Sequence, residues 1–305
     1  MQSLYAFHSS PDQTLNLVEK ELFHSIHKSY DLYHLLLQLL VEVHKYAEDR
    51  IELKKKKNIP THEDLHPNKR FVNNVIILKV AENKPLIDYL EKNKLNWIDH
   101  PELIKKLYNE LIDLDAYKEY MEKPDVSITD DRNIIELFYA NVVDSDDINQ
   151  LLEEKSIYWN DDIDFVVSMI LKTLRKFKLS TPDFKSLMPL FKDEEDREFT
   201  KALLRKSILN SEEHRKIIKA HLRNWDLERV AFIDVLIMEL ALSEFLYFPS
   251  IPTKVSLNEY IDLAKYYSTS KSRTFINGIL DKILKTLRDE GRIKKTGRGL
   301  IGENG

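Results

Sequence analysis

The sequence predicts an all-α protein, and three observations predict it. Apolar residues recur at three- and four-residue spacing along most of the 305-residue chain. No glycine occurs before Gly278, so glycine turns are absent, and ten prolines supply the punctuation instead. The one strand-like run, "VIILKV" from Val75, has no partner strand and is read as helix.

The elements follow in order. Leu15 to Lys28 and Tyr30 to Lys57 read as two helices, the second ending in "KKKK", where cations meet the negative end of the helix dipole. Asn58 to Arg70, with Pro60 and Pro67, reads as a linker. Asn73 to Asn83, Pro101 to Glu122 and Ile134 to Val143 read as helices. Ser145 is an N-cap for the helix ending at Lys155, and Asp161 to Phe177 opens on acidic residues. Glu194 to Leu209 is amphipathic. Asn210 and Glu213 suggest a capping box for Ser211 to Arg223. Asn224 to Phe248 is apolar nearly all round, as expected of a central buried helix. "PSIP" ends it. Val255 to Tyr267 follows, and then a last helix capped by Ser270 or Ser272. The residues beyond about 288 read as a flexible basic tail.

Composition excludes several chemistries. The chain has no cysteine, which removes disulfides, thiolate metal sites and thiol nucleophiles and fits a reducing, cytoplasmic compartment. Without glycine, neither a phosphate-cradling loop nor a dinucleotide fingerprint can be written in residues 1–277. The longest early apolar run carries His34, Gln38, Glu42 and His44, and is too short and polar to span a membrane. Glu21 and His24 give a single Glu-x-x-His, where di-iron bundles need two. His62 and His66 lie in the proline-flanked linker and read as solvated. No catalytic group, metal site or cofactor is expected.

A net charge of −5 argues against binding nucleic acid over the whole surface, but not against a local patch. One such patch surrounds the two C-terminal helices, with Lys254, Lys265, Tyr266, Tyr267, Lys271, Arg273, Phe275 and Lys282. Amides at a helix start attract phosphate and aromatic faces stack on unpaired bases. The same residues also suit a plain alternative, with Phe275 and Tyr267 in the core and the cations on a solvated face. Gly278 lies inside the last helix, where it costs up to about 1 kcal/mol relative to alanine. A close helix–helix crossing is the expected reason, with Asn277 hydrogen-bonded to the segment near "PTKVSLNE".

The stretch "IPTKVSLNEYIDLAKYYSTSKSRTFINGILDKIL" resembles the C-terminal signature of the NusB family of transcription antitermination factors. The matching residues include Pro252, Lys254, Val255, Asn258, Glu259, Leu263, Ala264, Lys265, Ser272, Phe275, Asn277, Gly278, Asp281 and Lys282. "QSLYAF", Gln2 to Phe7, is similar to the end of the family's first helix. The resemblance implies two small packed helical bundles, here with a large helical insertion. The implied segments are 1–57, an insertion at 58–190, a NusB-like domain at 191–288 and a tail at 289–305. It implies a non-enzymatic role: binding the boxA element of ribosomal RNA leader transcripts together with NusE, within the RNA polymerase antitermination complex. Carried onto this chain, Phe275, Arg273, Lys271, Ser272, Lys265 and Lys254 would face RNA, and Tyr5 and Asp234 would face NusE. Asn277 and Gly278 would be structural.

The sequence departs from the family pattern in three places. An arginine-rich segment is expected before "QSLY", whereas Met1 directly precedes Gln2, so either the start is shortened or the basic contacts come from elsewhere. Lys271 stands where the family often has an acid, which should favour phosphate. More than 100 extra residues separate the two family-like ends. Similar helical domains are fused to RNA cytosine methyltransferases, but those need a glycine-bearing cofactor loop and catalytic cysteines, which are absent here. A helical protein-interaction adaptor with little RNA affinity is the rival reading.

Overall fold

The computed structural model describes residues 1–10, 12–160, 162–176, 187–222 and 226–302. Among them are fifteen α-helices and no strand. They are α1 (Gln2–Ser9), α2 (Leu15–Lys55), α3 (His62–Leu65), α4 (Val75–Ala81), α5 (Lys84–Asn93), α6 (Pro101–Asp113), α7 (Asp115–Glu122), α8 (Ile128–Asp144), α9 (Asp146–Lys155), α10 (Ile163–Arg175), α11 (Glu194–Leu209), α12 (Ser211–His221), α13 (Phe232–Tyr247), α14 (Thr253–Tyr267) and α15 (Ser270–Asp289). The all-α prediction therefore holds, and "VIILKV" is helical, with Ile76, Ile77 and Val80 buried.

Several boundaries differ from expectation. The two expected N-terminal helices are one, a 41-residue α2 about 60 Å long. No proline or glycine interrupts it, so nothing breaks the hydrogen-bond ladder at Ser29. The expected linker contains α3, closed by a capping box between Thr61 and Asp64. α5 was not foreseen, although Asn83 caps it and Pro85 sits in its first turn. The expected starts or ends at Asp161, Phe177, Arg223 and Asn224 lie outside the described residues. Asn210 makes no capping bond, because its side-chain amide donates to the Lys206 carbonyl instead. In a chain without early glycine, Lys94 itself takes the left-handed conformation after α5, with φ 55°.

The structure divides into two units, residues 24–190 and a second formed by 1–23 with 191–305. The break at 23/24 corrects the expected segment 1–57, since it falls inside the continuous α2. In the first unit α2 is the axis. Leu32, Leu35, Leu36, Leu37, Leu39, Leu40 and Val43 are all buried, a girth too wide for an amphipathic stripe. One surrounding helix and two connecting segments reach its backbone through aromatic donors. Trp97 Nε1 donates to Leu35 O (2.8 Å), Tyr139 OH to Leu36 O (3.0 Å) and Trp159 Nε1 to Lys28 O (2.7 Å). Buried ring donors thereby meet acceptors rather than hydrocarbon.

The second unit is centred on α13, in which twelve of the sixteen residues, from Asp234 to Phe245, are buried. The helix is apolar by composition, yet it buries three carboxylates, and each has partners. Glu244 accepts from Ser256 Oγ (2.6 Å) and Tyr260 OH (2.7 Å). Glu239 accepts from Arg215 Nε (2.6 Å) and Ser211 Oγ (3.1 Å). Burial still pushes the Glu239 carboxyl upward, against the pull of Arg215.

The expected flexible tail is docked as far as Gly299. Lys295 Nζ donates to the carbonyls of Phe248 (2.9 Å) and Glu244 (3.3 Å) at the C-terminal end of α13, where the helix dipole favours a cation. Thr296 N donates to Pro249 O at 2.9 Å. Gly299 is buried beside it, and a Cβ there would stand 1.9 Å from Pro249 O. The close backbone approach that needs glycine is therefore at Gly299.

Candidate nucleic-acid interface

α14 and α15 form a helical hairpin joined at Ser268 and Thr269. Thr269, rather than Ser270 or Ser272, is the N-cap of α15: its hydroxyl accepts from Ser272 N at 3.1 Å and donates to Ser272 Oγ. Ser272 therefore occupies the third helical position and lies inside the turn. Lys271 and Arg273 are exposed and carry no ion-pair partner among the described residues. Phe275 is half-buried and packs its inner side on the core.

Helical spacing sorts the remaining candidates. Lys271, Phe275, Gly278 and Lys282 follow one another at intervals of four, three and four, so they form one stripe along α15. Ile276, Ile279, Leu280, Ile283, Leu284 and Leu287 fill the opposite, core side. The stripe thus alternates cation, ring, bare backbone and cation. Tyr266, 82% exposed, stands at the adjoining end of α14. Lys265 is on the same turn and is ion-paired with Asp262.

Lys254 does not join this group. It lies in the first turn of α14, while Arg288 near the end of α15 donates to the neighbouring Thr253 hydroxyl at 2.7 Å. The hairpin therefore holds Lys254 at the end away from Lys271, roughly 16 Å along α14 from Lys265.

The expected role of the Asn277–Gly278 pair is also corrected. Nothing lies within 4 Å of a Cβ built on Gly278, so no helix crosses there. Asn277 is half-buried and makes no side-chain hydrogen bond among the described residues. The pair leaves an open, partly exposed step beside Phe275.

Asp234 was expected to face a protein partner, but it is 3% exposed and inward-turned. Its carboxylate accepts from Ser268 Oγ at 2.5 Å. That bond ties the first turn of α13 to the α14–α15 turn, so Asp234 fixes where the turn carrying Lys271 sits. Tyr5 is different: it is 46% exposed, and its ring lies 5.6 Å from that of Phe232, itself 38% exposed. His8 stands edge-on to the same Phe232 ring at 6.1 Å. Phe232 was missed in the sequence because it reads there as part of the buried helix. An aromatic residue in a helix's first turn, ahead of its buried span, is the signal that marks it.

The α13–α15 residues, Phe232 among them, fall inside a region shared with known proteins, whereas Tyr5 and His8 lie outside the family-model match. The NusB family model matches residues 181–285, which takes in α11 to α14 and the stripe on α15. The transcription antitermination protein NusB of Salinibacter ruber is 46% identical over 115 residues, covering 38% of this chain and 72% of that protein. The chain belongs to the NusB family. The NusB of Methylacidiphilum infernorum is 40% identical over 110 residues, covering 36% of this chain and 73% of the relative. That of Chloroherpeton thalassium is 41% identical over 105 residues, and the match spans half of its length. A solved structure of T. maritima NusB is 26% identical over 45% of this chain and 84% of that one, with a TM-score of 0.29.

Beyond the NusB-like region, no helix among the described residues is long and apolar enough to cross a membrane. Among the same residues no group of three or more His, Asp or Glu side chains is placed to hold a metal ion. Asp64, between His62 and His66, is committed to Lys57 and Thr61.

Proposed function

We propose that this NusB-family protein is a cytoplasmic, non-enzymatic transcription antitermination factor. In this reading it binds boxA-type RNA from ribosomal RNA leader transcripts together with NusE, and helps RNA polymerase read through terminators. The observation that carries the reading is the stripe on α15, which lies within the family-matched residues and offers groups RNA can use. Lys271 and Arg273 hold phosphates beside the first-turn amides of α15, and Phe275 stacks on a base. Gly278 lets the strand approach the helix backbone, the use of glycine that a missing Cβ permits. Ser272 and Asp234 set the turn. Tyr5 with Phe232 is the surface for NusE, an exposed aromatic pair with an apolar face.

The test is boxA-type RNA binding with and without NusE, for wild type and for Arg273→Ala combined with Phe275→Ala. The double variant should lose about 1–3 kcal/mol while staying folded. The reading fails if the variant binds RNA as tightly as wild type. The Tyr5–Phe232 pair and the acidic net charge of −5 favour a second reading, a protein adaptor with little RNA affinity. Salt separates the two: phosphate contacts weaken steeply with salt, and an apolar interface does not.

A further inference from the structure

Gly278 takes one side chain away from the surface of α15, and its neighbours frame the gap. On a helix the residues three and four places away are the nearest on the surface, about 5–6 Å off. For Gly278 these are Thr274 and Phe275 one turn before, and Asp281 and Lys282 one turn after. Thr274, Asp281 and Lys282 are exposed, and Phe275 is half-buried. A Cβ at position 278 would meet nothing within 4 Å. The four residues therefore surround a notch that is open to solvent and floored by helix backbone. From Phe275 to Lys282 it runs about 10 Å along the helix axis, room for one nucleobase laid against the ring.

The two ends of the notch differ. One end is the Phe275 ring. The other carries Asp281 and Lys282, adjacent in the chain and opposite in charge, and neither has an ion-pair partner among the described residues. Lys285 stands four residues beyond Asp281, at the spacing of a helical ion pair, yet does not bond it. Lys265 on α14, by contrast, is held by Asp262. Asp281 thus caps nothing and pairs with nothing, and an aspartate inside a helix costs propensity. On a face that holds phosphates a free carboxylate also repels the strand. A group that is unfavourable to the helix and to the phosphates needs a third purpose.

We propose that the Gly278 notch reads one base of the bound strand, and that Asp281 selects a base with an exocyclic amine (cytosine, adenine or guanine) over uracil. The inference rests on the RNA reading above and adds a choice of base to it. The base stacks on Phe275 across the bare backbone of Gly278. Its amine donates to the Asp281 carboxylate, and Lys282 donates to the ring nitrogen beside that amine. Uracil has no exocyclic amine and would turn a carbonyl oxygen towards Asp281 instead. Unpaired bases are read in this way, stacked on a ring and bonded along one edge. A carboxylate that accepts from a base amine discriminates between bases. Lys271 and Arg273 hold phosphates and carry no such choice.

The experiment titrates the full chain with a fluorescent boxA-type RNA, followed by anisotropy. Copies of that RNA have each adenosine, cytidine and guanosine changed to uridine, one at a time. At one position the change should weaken binding about tenfold through the notch. Asp281→Ala, an exposed change that spares the fold, should bind the original RNA about tenfold more weakly and erase the preference at that position alone. A bystander acid gives the opposite sign, because its removal relieves repulsion and tightens every RNA alike. Lys271→Ala should weaken all the RNAs to the same extent and lower the salt slope by about one. The proposal is overturned if Asp281→Ala binds the original RNA as tightly as wild type or more tightly, or if the preference survives it. If Lys271→Ala and Phe275→Ala weaken binding while Asp281→Ala does not, only the choice of base falls. If none of the three changes affinity, or wild type does not bind, the RNA reading falls with it.

Discussion

Replacing Gly278 with alanine should stabilise the protein by about 0.8–1 kcal/mol and weaken RNA binding at the same time. The stability half follows from geometry. Gly278 lies well inside the 20-residue α15, with ordinary helical backbone, and a Cβ built there has nothing within 4 Å. No steric term opposes the substitution, so the full helix-propensity difference between glycine and alanine remains, about 0.8–1 kcal/mol. In a protein of 305 residues that raises the melting temperature by about 1–2 °C. Thermal and urea unfolding followed by circular dichroism measure it. A variant that is no more stable than wild type would refute the reasoning, because it would mean that some neighbour does close on this position. The binding half follows from the stripe: a methyl group between Phe275 and Lys282 stands where an RNA backbone would approach. Unchanged boxA affinity in the stabilised variant would show that the open step is not part of the interface. Gly299→Ala is the matched contrast. Its Cβ would lie 1.9 Å from the Pro249 carbonyl oxygen, so the tail must move away, at about 1–3 kcal/mol.

Three further outcomes are expected. Ser268→Ala removes a donor from the buried Asp234 carboxylate and should cost about 1–3 kcal/mol in urea unfolding, with Ser268→Thr restoring most of it. His214 is fully buried with neither ring nitrogen hydrogen-bonded among the described residues, and burial lowers its pKa from 6.5 to about 4. Its neutral form is favoured by the fold, so its contribution is complete above pH 6.5 and is lost as pH falls towards 4, up to about 3 kcal/mol. His214→Leu should flatten unfolding free energy against pH across that window, and an unchanged slope would assign the acid sensitivity elsewhere. Lys295→Met leaves the carbonyls at the end of α13 without their cation and should cost about 1–2 kcal/mol, read as a lower urea midpoint with unchanged RNA affinity.

The helical class was legible because periodicity is a property of neighbouring residues. The local patch containing Lys271, Phe275 and Lys282 was legible for the same reason, but Gly278 read as a packing position and not as their neighbour on one open face. What sequence reasoning missed depends on pairs distant in the chain. α13 reads as uniformly apolar, but its Asp234, Glu239 and Glu244 are paired by Ser268, by Arg215 and Ser211, and by Ser256 and Tyr260. The three acids were the available signal, because a charge in a buried helix requires partners. The glycine-rich end reads as a flexible tail because five glycines fall in its last fifteen residues. Lys295 and Thr296 instead bind the end of α13 and the Pro249 turn, and these contacts span more than forty residues.

The two informative glycines exchange the roles that composition assigned to them. The isolated Gly278 invites a packing explanation, whereas Gly299, one of several near the chain end, invites none. Crowding decides the matter. At Gly299 a backbone carbonyl occupies the space a side chain would need, so the fold accounts for that glycine completely. At Gly278 the fold makes no demand, and the propensity cost of about 1 kcal/mol is left unexplained by anything inside the molecule. A cost with no internal cause, in a helix that also displays Lys271, Phe275 and Lys282 on the same side, points outward. The absence of a neighbour is therefore the stronger argument that this face of α15 meets a ligand, and the paired stability and binding measurements on Gly278→Ala weigh it directly.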